Sequence, residues 1–354
     1  MRVRRYEELS EREKGTIYIA AWLLHYYGYG YRKIKRILLL LYCVDVPEST
    51  IHSWLYKGRK PKFKLSTFEK ALFYHVAYEL ALKLKQEHPE WGYKRIASEL
   101  SKLLPVYIPP MTVYYWITGR SRPNVTPVNL KELGAISYCV GVLVGDYKRA
   151  GGGLRNRDER FVEYYAEMYW RATGIRLEVN PTEDGYYATY ESGGWLRALW
   201  RTGLWKVFAW LAPRQFLKGL YDSEGNPSPQ VNHRRRVLTG AVILLTTGDP
   251  EVKRIAKLLL ERLSFEVHEY YEEGEEVREI EGRIVHFNSG YWKLCIYGWN
   301  QAKRFKELID FRVSYRVEML EDLLKLEPLS QKYRYRWWLQ HYEKVNGKWR
   351  KKKP

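Results

Sequence analysis

Two apolar stretches of this chain place small residues four apart and end in acid. In the first, Leu133 to Val144 contains Gly141, with Gly145 and Asp146 directly after it. In the second, Phe216 to Tyr221 contains Gly219, followed by Asp222-Ser223-Glu224-Gly225. Residues at i and i+4 share a helix face, and a face without bulky side chains lets a second helix approach backbone to backbone. Gly141, Gly145, Gly219 and Ser223 are therefore the expected helix interface. The acids fall at helix C-termini, where the macrodipole opposes negative charge, so a cation partner is expected for them.

The chain around these segments has 354 residues, enough for two or three domains. Its 60 Lys and Arg outnumber 41 Asp and Glu, a net charge of +19. That balance points to nucleic acid or another polyanion. The excess is not uniform: residues 1–124 carry 22 basic and 11 acidic side chains, residues 125–330 carry 29 of each, and the last 24 residues carry 9 and 1. Non-specific phosphate attraction is thus expected from the two ends. Aromatic residues make up 16% of the chain, too much core material for a disordered polypeptide. Cys43, Cys139 and Cys295 are scattered without a CxxC pair, which speaks against a disulfide framework or a Cys-ligated zinc. The longest apolar run, Ile37 to Val44, is less than half a membrane span, and no cationic-then-apolar leader opens the sequence. A cytoplasmic protein without a membrane partner is expected.

The first third repeats itself at an offset of 62. Gly30-Tyr31-Arg32-Lys33-Ile34 aligns with Gly92-Tyr93-Lys94-Arg95-Ile96, and Pro47, Thr50, Ile51, Trp54, Leu55 and Pro61 align with Pro109, Thr112, Val113, Trp116, Ile117 and Pro123. Each copy reads as three helices: a long amphipathic one (about Leu9 to Tyr27, then about Leu65 to Glu87), one starting at the Gly-Tyr pair, and a short one after the proline. The pattern resembles a helix-turn-helix, giving modules at 1–63 and 64–124. In the third helix Ile51, Trp54 and Leu55 share the inward face, leaving Ser49, Thr50, His52 and Ser53 for base edges and Lys57, Arg59 and Lys60 for phosphates. The second copy offers Thr112, Tyr114, Tyr115, Arg120 and Arg122. The alternative for these helices is a scaffold with solvated basic faces. Pro123 to Pro127 marks a boundary where the charge changes.

The two acid-ending segments resemble the motifs of the LAGLIDADG homing endonuclease family: Tyr138-Cys139-Val140-Gly141-Val142-Leu143-Val144-Gly145-Asp146 is similar to the first and Phe216 to Gly225 to the second. The resemblance spans about residues 131–328. It implies an α+β fold of two pseudo-symmetric αββαββα halves, at 125–212 and 213–330, forming a saddle after the all-α tandem modules. A basic aromatic tail fills 331–354. In the first half the expected elements are a helix at Asp158 to Thr173, a hairpin of Arg176 to Val179 with Tyr186 to Tyr190, and helices over Gly194 to Leu211. In the second they are two strands within Val231 to Thr247 with His233-Arg234-Arg235-Arg236 near the turn, and a helix at Asp249 to Leu263. Strands at Val267 to Tyr271 and Trp292 to Tyr297 then flank an acidic loop, before helices at Ala302 to Ile309 and Val317 to Leu326.

The implied function is site-specific, Mg²⁺-dependent cleavage of double-stranded DNA by a monomeric, internally pseudo-dimeric enzyme, docked on the duplex by its N-terminal modules. Asp146 and Glu224 take the catalytic, metal-binding positions, with Gly145 and Ser223 carbonyls as further ligands. Arg157, beside Asn156, takes the place of the residue near the attacking water, and His233 to Arg236 join the DNA contacts. Two carboxylates held together repel unless a divalent ion sits between them, and oxygen ligands suit Mg²⁺. The chain departs from the pattern at Thr247-Gly248, where the second half should carry a basic or amide residue. It departs also at Tyr147, where a glycine is usual, and at Tyr147 to Leu154, too short for a DNA-reading hairpin. These departures, with the neutral charge of the middle segment, support an alternative, a DNA-binding regulator on a retired nuclease core; a more distant one is an RNA-binding splicing maturase, since the saddle can be reused on structured intron RNA. In the tail, Tyr333, Tyr335, Trp337, Trp338 and Trp349 either stack on bases or pack onto the core.

Overall fold

The computed structural model describes residues 2–61, 67–146, 152–191, 194–273, 275–280, 283–288, 290–345 and 348–352, with the backbone alone described at 67–71, 275–280 and 283–288. The protein is α+β and mostly helical. No helix among the described residues is long and apolar enough to cross a membrane.

The repeat in the sequence is a repeat in space. A short strand β1 (Arg4–Arg5) precedes helices α1 (Glu11–Tyr26) and α2 (Tyr31–Tyr42), and β1 pairs in parallel with β2 (Val44–Asp45) before α3 (Glu48–Tyr56). The second copy is α4 (Thr67–Glu87), α5 (Tyr93–Leu103) and α6 (Pro110–Ile117). Gly30 and Gly92 cap the N-termini of α2 and α5 in the same extended conformation, and Pro47 and Pro109 do so for α3 and α6. Ile51 and Trp54 are buried, as are Val113 and Trp116. Trp54 meets Tyr6 and Tyr18 edge-on, and Trp116 meets Tyr74 and Tyr78 in the same manner.

The copies pack on each other. Trp22 Nε1 donates to the Leu103 carbonyl (3.2 Å), and its ring meets Phe73. They also pack on the remainder of the chain, which begins with α7 (Leu133–Val144), β3 (Arg155–Asn156), α8 (Glu159–Thr173), β4 (Asn180–Pro181), β5 (Tyr187–Ala188), α9 (Trp195–Thr202) and α10 (Trp205–Leu211). Tyr42 donates to the Gly203 carbonyl at 3.0 Å and Tyr27 to the Leu130 carbonyl. Lys206, only 6% exposed, lies over the Tyr42 ring and pairs with Glu251; burial lowers its pKa against the pull of that carboxylate.

Helix α11 (Pro213–Glu224) runs directly into β6 (Gly225–Asn232) and β7 (Val237–Thr247), then α12 (Pro250–Arg262) and β8 (His268–Glu272). A separate hairpin, β9 (Glu275–Ile280) with β10 (Arg283–Asn288), precedes β11 (Tyr291–Tyr297), α13 (Trp299–Leu308) and α14 (Ser314–Leu326). The sheet has the order β6-β7-β11-β8, all antiparallel. Pro227 and Pro229 lack an N–H for a second partner, which suits the edge position of β6. Alternation along β6 buries Gly225, Pro227 and Pro229 and turns Asn226, Ser228 and Gln230 to the other face.

Several expectations need correction here. The first strand of the second half begins at Gly225 rather than at Val231, because it continues the motif helix without a loop. The acidic loop contains a hairpin, whose strands mix Glu, Arg and apolar residues without the alternation that marks a strand. In the first half the strand expected at 176–179 falls at Asn180–Pro181, and β3, β4 and β5 have only two residues each. The Tyr147 to Leu154 expectation falls mostly on 147–151, outside the described residues. The tail forms α15 (Gln331–His341) and a hairpin of β12 (Tyr342–Val345) with β13 (Lys348–Lys351). Trp338 and Trp349 are buried, with Trp338 stacked on Tyr342 at 4.0 Å, so these rings are core and not open to stack on bases. Tyr333 is exposed, Tyr335 meets His233, and Trp337 stacks on His341.

Candidate active site at the crossing of two helices

Helices α7 and α11 cross where both lack side chains. A Cβ added to Gly141 would lie 2.8 Å from the Leu220 nitrogen and run into the Phe216 carbonyl oxygen. One added to Gly219 would lie 3.0 Å from the Val142 nitrogen and run into the Tyr138 carbonyl oxygen. The contact is reciprocal. Further along, a Cβ on Gly145 would strike the Ser223 side chain, so all four small residues line one seam. Nothing larger than glycine fits at the crossing, and this brings the two helix ends side by side.

Asp146 lies just beyond the end of α7, and Glu224 is the last residue of α11. Burial raises the pKa of both; for Glu224, pushed up to about 6, the neighbouring Asp146 carboxylate is the second cause. Arg316 and Lys348 act on both acids in the opposite sense. Asn156 Nδ2 donates to Asp146 Oδ2 at 3.3 Å. Arg157 instead lies over the Tyr186 ring, 4.8 Å from its centroid.

The cation expected at the helix end is Arg316, from α14. Its guanidinium donates to the carbonyls of Tyr221 (2.9 Å), Asp222 and Ser223 (3.1 Å), taking up the free acceptors at the C-terminus of α11. Sequence reasoning missed it, because Arg316 lies far along the chain and nothing local marks it. Asp222 also has a role of its own. It is fully buried, accepting from the Tyr138 hydroxyl (2.8 Å) and the Arg312 backbone N–H (2.6 Å), and burial still pushes its pKa up to about 6. It ties α11 to α7 and to the start of α14.

Two carboxylates with solvent-reachable oxygens are a donor set that fits a hard divalent cation with open positions. Among the described residues no third His, Cys, Asp or Glu joins them. Of the carbonyls expected as ligands, that of Ser223 already accepts from Arg316, and the Ser223 hydroxyl donates to the Gly219 carbonyl at 3.1 Å. A hollow of about 550 Å³ opens beside Glu224, lined by Gly145, Thr246, Thr247, Gly248 and Asp249.

The expected DNA-contacting residues belong to other elements than the acids, namely α3, α6, the segments after them and the β6–β7 turn. Ser49, Lys57 and Arg59 are exposed, and Thr50, His52 and Ser53 are half-buried along α3. His52 and Tyr56 rings meet at 5.0 Å. On α6, Tyr115 is exposed and Thr112 and Tyr114 half-buried; Arg120 lies over Tyr114, and Arg122 is exposed. Lys60 corrects its expectation: its ammonium donates to the carbonyls of Ser101 and Leu104, joining the copies at the end of α5. His233, Arg234, Arg235 and Arg236 form the exposed turn between β6 and β7, with Arg236 in the left-handed region at φ 50°.

Residues 212–310 match the LAGLIDADG-like domain, which comprises α11, the four-stranded sheet, α12 and α13. Over 257 residues, 66% of this chain and 89% of the relative, the protein is 24% identical to the uncharacterized protein MJ0398 of Methanocaldococcus jannaschii. Among solved structures it is similar to I-DmoI in complex with DNA and Mn, with a TM-score of 0.33, 12% identity and coverage of 51% of this chain and 97% of that one. It is similar also to mesophilic variants of the homing endonuclease I-DmoI, with a TM-score of 0.35, 14% identity and coverage of 54% and 98%.

Proposed function

We propose that the protein is a monomeric, site-specific double-strand DNA endonuclease of homing type, its two acid-bearing halves forming a saddle over the duplex. The observation that carries this reading is the meeting of Asp146 and Glu224 at the ends of two helices crossed on glycine, with residues 212–310 matching a LAGLIDADG-like domain. Asp146 and Glu224 would hold Mg²⁺, and the bound ion would supply Lewis-acid activation of water and neutralisation of charge at the scissile phosphate. Asn156 orients Asp146 through its 3.3 Å hydrogen bond. Arg316 screens the repulsion between the acids and holds the end of α11 in place. Because the Glu224 pKa is pushed up to about 6, its carboxylate is largely ionised only above that pH, so divalent binding strengthens as pH rises through 6. The exposed polar and basic residues of α3 and α6 dock on flanking duplex, and His233 to Arg236 reach the backbone from the β6–β7 turn.

The test is a pooled duplex library incubated with Mg²⁺ and either the wild type or Asp146→Asn, Glu224→Gln, followed by sequencing of new ends. Wild-type-only ends clustered on one motif are expected. Glu224→Gln alone is expected to bind the same motif without cutting, and equal cutting would remove Glu224 from the mechanism. The hollow beside Glu224, which has no Lys or Arg among its described lining, favours a second reading, a DNA-binding regulator on a retired core. Enrichment of one motif by both proteins, with no ends from either, would establish that instead; preference for intron RNA in competition would identify the maturase.

A further inference from the structure

The C-terminal hairpin is fastened at its base, and Lys348 at the far end of its ladder acts on the acids. At the base, the Tyr342 hydroxyl donates to Asp322 Oδ2 at 2.8 Å, and the Lys351 ammonium donates to the same oxygen at 3.2 Å and to Glu318. Trp349 packs edge-on against Trp338, 5.9 Å between ring centroids. Asp322 and Glu318 belong to α14, the helix whose Arg316 caps α11. The other end of the ladder is the pair Val345 and Lys348. Lys348 lines a hollow of about 440 Å³ with Arg157, Asn226 and Tyr315. Asn226 is two residues beyond Glu224, and Tyr315 precedes Arg316.

Two cations, Arg316 and Lys348, act on the acid pair, and they differ in availability. Arg316 is committed to three carbonyls of α11. Lys348 is exposed, at the mouth of a hollow that opens beside both halves. On the other flank of Glu224, the hollow lined by Thr246, Thr247 and Gly248 contains no Lys or Arg among its described lining.

We propose that Lys348 is a phosphate-binding residue of the cleavage site, carried to Asp146 and Glu224 by a hairpin outside the two acid-bearing halves and supplying the cation that Thr247-Gly248 does not. It rests on the endonuclease reading. The ammonium offers three donors on a flexible stem, suited to a nonbridging phosphate oxygen that approaches between the two hollows. The base contacts fasten the hairpin to α14, so a residue of the basic tail acts within the active site while its neighbouring aromatics serve as core.

The test uses full-length protein carrying K348M or K348R, with K344M on the opposite strand of the hairpin as control. One readout is Mn²⁺ affinity of the DNA-free protein, the other the single-turnover cleavage rate on saturating duplex. Removing a like charge beside the carboxylates strengthens cation binding, so K348M is expected to bind Mn²⁺ about threefold tighter or more. It is expected to cleave at least tenfold slower at unchanged DNA affinity, with K348R restoring most of the rate and K344M altering neither readout. Wild-type Mn²⁺ affinity in K348M would overturn the placement, and faster cleavage would overturn the role by making Lys348 a competitor of the metal. A wild type that cuts nothing would refute the endonuclease reading and with it the substrate role; the Mn²⁺ comparison separately decides whether Lys348 sits at the acids.

Discussion

Gly141 and Gly219 are irreplaceable for a reason that a single methyl group can test. In Gly141→Ala the new Cβ meets backbone atoms of α11, which cannot swing away as a side chain would. The expected cost is about 3 kcal/mol, read as a lower urea midpoint. Gly134→Ala, near the start of the same helix, meets only Gln215 Cγ at 3.6 Å and is expected to be neutral or to stabilise by roughly 0.5–1 kcal/mol. Asp222 makes a separate prediction. Its folded-state pKa of about 6 is above the unfolded value, so its contribution to stability is full below about pH 4 and is lost as pH rises through 6. Wild type is therefore expected to gain on the order of 2 kcal/mol relative to Asp222→Asn between pH 7.5 and pH 4, measured by denaturation in chelator at each pH. A difference that does not change with pH would mean that Asp222 is ionised at no cost. Glu224 shifts in the same direction, but its exposure to solvent makes its share smaller.

Among the elements, α3 and α6 show what the duplication kept and what it changed. The inward residues Ile51 and Trp54 have close counterparts in Val113 and Trp116, whereas Ser49, His52, Ser53 and Tyr56 are exposed or half-buried where the second copy has Met111, Tyr114, Tyr115 and Thr118. The scaffold is shared and the surface is not. If both helices enter major grooves, they read different base pairs, and the flanks of the target are not palindromic. Grafting the outward residues of α6 onto α3 is expected to alter one flank of the motif selected from a random duplex library and leave the other intact, since a good base contact discriminates by about 1–3 kcal/mol. A motif unchanged on both flanks would show that α3 reads no bases. The tail hairpin is the element least visible in the sequence, where basic and aromatic residues alternate in the same manner whether they face DNA or a core.

For the whole molecule, the N-terminal copies are bound to the remainder through Tyr27, Tyr42 and the buried Lys206, and Arg254 donates to the carbonyls of Leu40 and Leu41 at the end of α2. Deleting residues 1–124 would uncover that surface, so their contribution to DNA binding is better tested in the intact chain. Replacing Lys57, Arg59, Arg120 and Arg122 with Ala is expected to reduce the salt slope of duplex binding by about three to four, near one for each phosphate left without its cation. An unchanged slope would assign the electrostatics to the sheet and its turn.

What the sequence determined by itself was whatever short-range pattern can carry. The 62-residue repeat with its capping glycines and prolines, the two small-residue faces that had to meet, and acids that needed a cation were all legible, because 3.6-residue periodicity and residue size act locally. Tertiary structure alone decided which cation that was. Arg316 and Lys348 reach the acids from 92 and 124 residues beyond Glu224, a distance along the chain at which no pattern survives. It also decided that Lys60 joins two modules and that Trp338 and Trp349 are core. A charged or aromatic side chain has the same chemistry on a surface as in an interface, and only the burial of its neighbours settles which partner it takes.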